Sequence, residues 1–150
     1  MDRFLTLNRK VAFAGYAMAD LVSVGMGMGV PIFCIALGFP VGWYIAMSAI
    51  RGNSHVTQTL RTVLLHAVAA CLVTFVLMAL LWGPTILLLF DPTFDVANFG
   101  HPDILYDPTL SFVGWLVLMI FVSPFLQLLT TLFSSYLTLS VSLKEESRAV

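Results

Sequence analysis

The sequence predicts an all-α integral membrane protein with four transmembrane helices, the first two a tight hairpin, and both termini cytoplasmic. Three observations carry that expectation: an extreme apolar composition, an apolar block too long for one crossing, and cationic residues that sort to one side. The 150 residues are 59% hydrophobic and only 10% charged, where soluble domains run at roughly 25% charged. Mean hydropathy is +0.97. A water-soluble domain of this size leaves too much of its surface wet to hide so many apolar side chains. Lipid as solvent removes the difficulty.

The apolar residues fall into three blocks, about 11–50, 63–90 and 110–141. As one helix the first block would reach roughly 60 Å, about twice the hydrocarbon thickness of a bilayer. Gly29-Val30-Pro31 is the natural place to turn, because glycine accepts unusual dihedrals and proline lacks the donor that would continue a helix. The predicted spans are therefore 11–29, 32–50, 63–84 and 110–140, in a single transmembrane domain covering 1–150. The seven cationic residues are Arg3, Arg9, Lys10, Arg51, Arg61, Lys144 and Arg148. With four spans all seven share one face, as the excess of Lys and Arg in cytoplasmic loops requires; three spans would strand some of them outside. The 91–108 loop holds four aspartates and no Lys or Arg, so it is assigned to the outside of a multi-pass protein of the cell membrane. Ala17-Met18-Ala19 has the form of a signal cleavage site, but the apolar run before it is short, and the uncleaved reading is preferred.

Local chemistry agrees with these spans. Asp107-Pro108 reads as an N-cap followed by proline at the first helical position of the last span. Asp91-Pro-Thr echoes it and suggests a short outer helix. Pro40, Pro84 and Pro124 predict kinks, while Trp82, Tyr106 and Trp115 suit the outer interface and Tyr136 the inner one. Gly25-x-x-x-Gly29 and Gly38-x-x-x-Gly42 match the small-xxx-small pattern by which helices approach closely, and they predict close packing within the first hairpin.

Asp20 is the most informative residue. It lies roughly 13 Å along helix one from its cytoplasmic end, where a charged side chain costs on the order of 2.5–3.5 kcal/mol on insertion scales. Either it is protonated or it meets partners inside the bundle. Equal depth places Thr131, Ser134 and Ser135 of helix four beside it, with Cys71 on helix three and the 40–42 stretch of helix two. No Lys or Arg lies at that level. Asp20 with these hydroxyls is thus first a candidate packing site and, as the competing reading, a candidate proton site. His66, the one histidine within a span, sits about 8 Å shallower; it is a candidate pigment or cofactor ligand, though an interfacial polar residue is the more ordinary reading. Cys34 and Cys71 fall inside apolar runs and read as packing residues.

Composition and motifs also exclude. Net charge is −1 with no basic patch, so nucleic acid is not a partner. Metalloprotease, dithiol, nucleophile-elbow and phosphate-loop signatures are missing, so no enzymatic activity is expected. The oxygen-rich outer loop lacks the spacing of a calcium-binding loop, and no metal is expected there. Many packing devices and few reactive groups favour an accessory or structural subunit of a larger membrane complex, joined to other membrane subunits or to itself. A small proton-coupled transporter using Asp20 is the competing expectation. Pigment binding through His66 is the third.

Overall fold

A computed structural model describes residues 9–26, 31–52 and 55–148, and every regular element among them is helical. Helix α1 runs Arg9–Met26, α2 Ile32–Gly52 and α3 Val56–Trp82. The last long helix comprises α4 (Pro108–Val117), a π-helical turn (Leu118–Val122) and α5 (Ser123–Arg148). Three of these helices are long and apolar enough to cross a membrane, and the apolar part of α1, Val11–Gly25, is shorter. Between α1 and α2 the chain turns at Pro31, as the sequence indicates; residues 27–30, which include Gly29, lie outside the described segments.

Burial is inverted relative to a soluble protein. Leu80, Leu87 and Phe90 are 69%, 71% and 80% exposed, whereas Asp20 and Thr74 are fully buried. In water that arrangement would cost free energy at both surfaces. In lipid the outward leucines lose nothing, and the polar groups are stable only where they meet one another. The inward stripe of α3 makes the point: Thr59, Val63, Ala67, Ala70, Thr74 and Met78 recur at helical spacing and are mostly small, while leucines 60, 64, 65, 72, 80 and 81 face outward.

Three helix irregularities have local causes. Pro40 lies within α2 and leaves the Ala36 carbonyl without its intrahelical donor. Pro84 follows the end of α3, and the chain tightens into a 3-10 segment over Gly83–Phe90. Pro124 is the second residue after the π turn, beside Ser123, whose hydroxyl donates to the Met119 carbonyl at 2.5 Å. One helix starts earlier than its expected span: α3 begins at Val56 rather than near 63, because the first turn closes on His55, whose carbonyl accepts from the Thr59 amide at 3.0 Å and the Thr59 hydroxyl at 3.2 Å. The polar start of α3 is helix, not loop.

The 91–107 loop is tied down from both ends. The Asp107 carboxylate accepts from the Leu110 amide at 2.9 Å, with Pro108 at the first helical position, as the sequence indicates. The Ser111 hydroxyl accepts from the Leu105 amide at 2.7 Å and donates to its carbonyl at 2.9 Å. Asp91 starts no helix, contrary to the expectation: its carboxylate closes a turn on the Thr93 hydroxyl (2.7 Å) and amide (2.9 Å). Those bonds hold the Asp91 carboxyl below the usual carboxylate range. Phe94 and Phe99 fold back onto Phe112 and Trp115, with centroids 5.2–6.0 Å apart, and cap the loop end of the core.

The close helix pair is not the expected one. Gly38 and Gly42 approach α5 rather than α1: a Cβ on Gly38 would strike the Thr130 hydroxyl and come within 2.7 Å of the Gln127 carbonyl. One on Gly42 would run into the Thr131 carbonyl and the Ser134 side chain. Gly25 faces open space. The tight packing predicted for the first hairpin therefore belongs to α2 with α5. Along this seam Thr130, Ser134 and Ser135 of α5 donate to the α2 backbone.

Candidate functional site: a polar cluster around Asp20

Asp20 and Tyr16 stand one turn apart on α1, so both project from one face. That face meets α3 and α5. The Thr74 hydroxyl lies 2.6 Å from Asp20 Oδ2. Tyr16 Oη lies 2.8 Å from Thr74 Oγ1 and 2.9 Å from the Ala70 carbonyl, but 3.5 Å from Asp20 Oδ2. From α5, Gln127 Nε2 reaches Tyr16 Oη at 3.2 Å and Asp20 Oδ1 at 3.5 Å. Asp20, Thr74 and Gln127 are essentially inaccessible, and Gln127 Oε1 has no hydrogen-bond partner. No described Lys, Arg or His side chain pairs with the carboxyl. One cluster therefore joins α1, α3 and α5.

The expected α5 neighbours lie one turn (Thr131) and two turns (Ser134, Ser135) beyond Gln127. Thr131 donates to the Gln127 carbonyl of its own helix at 2.8 Å. Ser134 and Ser135 donate to the Phe39 and Gly42 carbonyls of α2 at 2.7 and 2.9 Å. Thr130 reaches the Ile35 carbonyl at 2.8 Å. These three α5 hydroxyls keep a nearly constant offset from their α2 partners, so the two helices run parallel and are laced along their length. Cys71, the expected α3 neighbour, donates instead to the Pro124 carbonyl at 3.3 Å. Assuming equal starting depths for all helices misplaces partners by one turn. Thr74 and Gln127, rather than Cys71 and Thr131, stand level with Asp20. Two signals were available: Tyr16 at the i−4 position, and Thr74 as the one hydroxyl in the apolar stretch 63–84 of α3.

The remaining candidates stay apart from this cluster. His66 is exposed on the outward face of α3, with Nδ1 2.7 Å from the Thr62 carbonyl. In the loop cap, His101 is buried edge-on against Phe112, and neither ring nitrogen has a hydrogen-bond partner; its Nε2 lies 3.8 Å from Asp103 Oδ1. Asp91, Asp95 and Asp107 each close a local turn on Thr93, Asn98 and Leu110. Among the described residues no three His, Cys, Asp or Glu side chains converge as a metal site would require.

The fold and burial thus have the build of a helical membrane protein organised around an internal polar cluster. Compared with protein-family models, curated proteins and solved structures, the chain matches none.

Proposed function

We propose that this chain is an accessory or structural subunit of a membrane complex, crossing the bilayer four times with both termini in the cytoplasm. The supporting observation is how polar and small residues are distributed. Hydroxyls on α5 and the Asp20 cluster are engaged in helix–helix bonds within the chain. Helix α1, in contrast, turns Ala14, Gly15, Ala19 and Gly25 outward. Small residues on a lipid-facing helix let a second helix come close, and the partner is another membrane subunit or a further copy. Four crossings put all seven cationic residues on one face and the aspartate-rich loop on the other.

Extraction from native membranes in a mild detergent tests the reading. A particle larger than one chain, cross-linking through cysteines placed at Gly15 or Ala19, supports it. A stable particle holding one chain and no partner overturns it. Labelling a cysteine at Phe99 from the cytoplasmic side would overturn the orientation.

A second reading, proton-coupled transport, draws on the full burial of Asp20 with no described cation beside it. Of the hydroxyls expected beside Asp20, Thr131 bonds its own helix and Ser134 and Ser135 are engaged with α2 carbonyls, and this ranks the reading below the first. Cofactor ligation by His66 has less support still, since that ring bonds its own helix.

A further inference from the structure

Beyond the accessory reading, and independent of it, we propose that Asp20 is a proton-binding site. Its carboxyl is the neutral acid while α1 lies against α3 and α5, and release of that proton loosens α1.

Hydrogen-bond accounting in the cluster is the warrant. An ionised carboxylate offers about four acceptor positions and is stable in a buried site when several donors fill them. Asp20 has one close donor, the Thr74 hydroxyl at 2.6 Å. Tyr16 has a single proton, and the Thr74 oxygen and the Ala70 carbonyl, at 2.8 and 2.9 Å, are both nearer to it than the carboxyl at 3.5 Å. Gln127 adds one long contact at 3.5 Å. As an anion, Asp20 is under-supplied.

One added proton removes the need for those missing donors and still leaves every hydroxyl in the cluster a partner. The acid donates from Oδ2 to Thr74 Oγ1 across the 2.6 Å gap, Tyr16 donates to the same oxygen at 2.8 Å, and Thr74 donates onward to the Ala70 carbonyl at 3.3 Å. Threonine can accept twice and donate once. Gln127 then donates to Tyr16 Oη and Asp20 Oδ1. Among the described residues, the titratable groups around the carboxyl are the Tyr16 phenol on α1 and the Cys34 thiol on α2. The sides formed by α3 and α5 present Thr74 and Gln127, which do not titrate.

Proton release breaks the acid O–H bond, leaves its electron pair on the carboxylate and passes the proton to water. The bare carboxylate must then draw water or leave the cluster. Asp20 and Val24 are the described α1 residues buried in the bundle, so losing this tie frees most of the helix.

The test uses the whole chain in lipid bilayers, labelled with carbon-13 at the aspartate γ-carboxyl. The sequence has aspartates at 2, 20, 91, 95, 103 and 107. At neutral pH one signal should be that of a neutral acid, sensitive to solvent deuteration and lost in Asp20→Asn. Raising the pH until that signal titrates should lower amide-exchange protection in α1, corrected for intrinsic rates, at least about tenfold relative to α3. In Asp20→Asn the protection of α1 should not change with pH. Six ionised carboxyls in the wild-type protein at neutral pH would overturn the proposal, a measurement that holds even if the variant fails to fold. Titration of Asp20 with α1 protection unchanged would overturn the link to α1.

Discussion

Two helices of this molecule are fastened to the rest by opposite means. Helix α2 is laid directly on α5: Gly38 and Gly42 bring backbone against backbone, and hydroxyls of Thr130, Ser134 and Ser135 lace onto α2 carbonyls. Helix α1 has no such seam. Its outward glycines meet nothing, and it is tied through Tyr16, Asp20 and the buried Val24. In lipid there is no hydrophobic force between helices, so association depends on packing and hydrogen bonds. The α2–α5 seam combines many small packing terms, while α1 concentrates its attachment in one titratable cluster. A distributed seam resists any single loss; a concentrated one can be switched.

The largest expected effect is at the seam. Gly42→Leu places a branched side chain where a bare Cβ already runs into the Thr131 carbonyl. Backbone cannot move aside as a flexible side chain can, so α2 must separate from α5. The cost should exceed the roughly 1–3 kcal/mol of ordinary overpacking, seen as loss of folded protein in a denaturing-detergent titration. Next in size is Thr74→Val, which removes the close partner of Asp20 and the acceptor of Tyr16. Interhelical hydrogen bonds in membranes average about 0.6 kcal/mol and reach about 1.7, and this one should lie near the upper figure because it leaves a buried carboxyl under-bonded. Amide exchange should report the loss in α1 and leave α2 protected. Ser135→Ala removes one lace among several and should cost about 0.6 kcal/mol in the same titration. An effect as large as that of Thr74→Val would show that the seam is not distributed.

What the sequence makes legible follows from the same physics. The apolar blocks, the turn at Pro31 and the Asp107 cap are readable because each depends on residues close together in the chain. Asp20 is conspicuous because a carboxylate has no business in an apolar run without partners. Its partners are a different matter, since they depend on how far each helix slides along its neighbour. A slide of one turn exchanges Cys71 for Thr74 and Thr131 for Gln127, and no local signal fixes it. The small-xxx-small motifs mark a helix able to approach closely without naming what it approaches. Gly38 and Gly42 lie against α5, whose hydroxyls bond the α2 backbone, whereas Gly25 meets none of the described residues.

The smallest expected effect is at Gly25, and it separates the chain's own stability from its assembly. A Cβ there meets nothing, so Gly25→Ala should not lower the stability of the isolated chain. It should raise it slightly, because alanine is favoured over glycine in a helix interior by roughly 1 kcal/mol in peptides. Larger side chains at the same position, as in Gly25→Leu, should also leave the isolated bundle folded, since they project into lipid. If the outward face of α1 meets a second membrane helix, however, that leucine would hold the two backbones apart and shift the native particle towards lower mass. An unchanged particle would show that the partner, if held through α1, is held by some other part of the helix than Gly25.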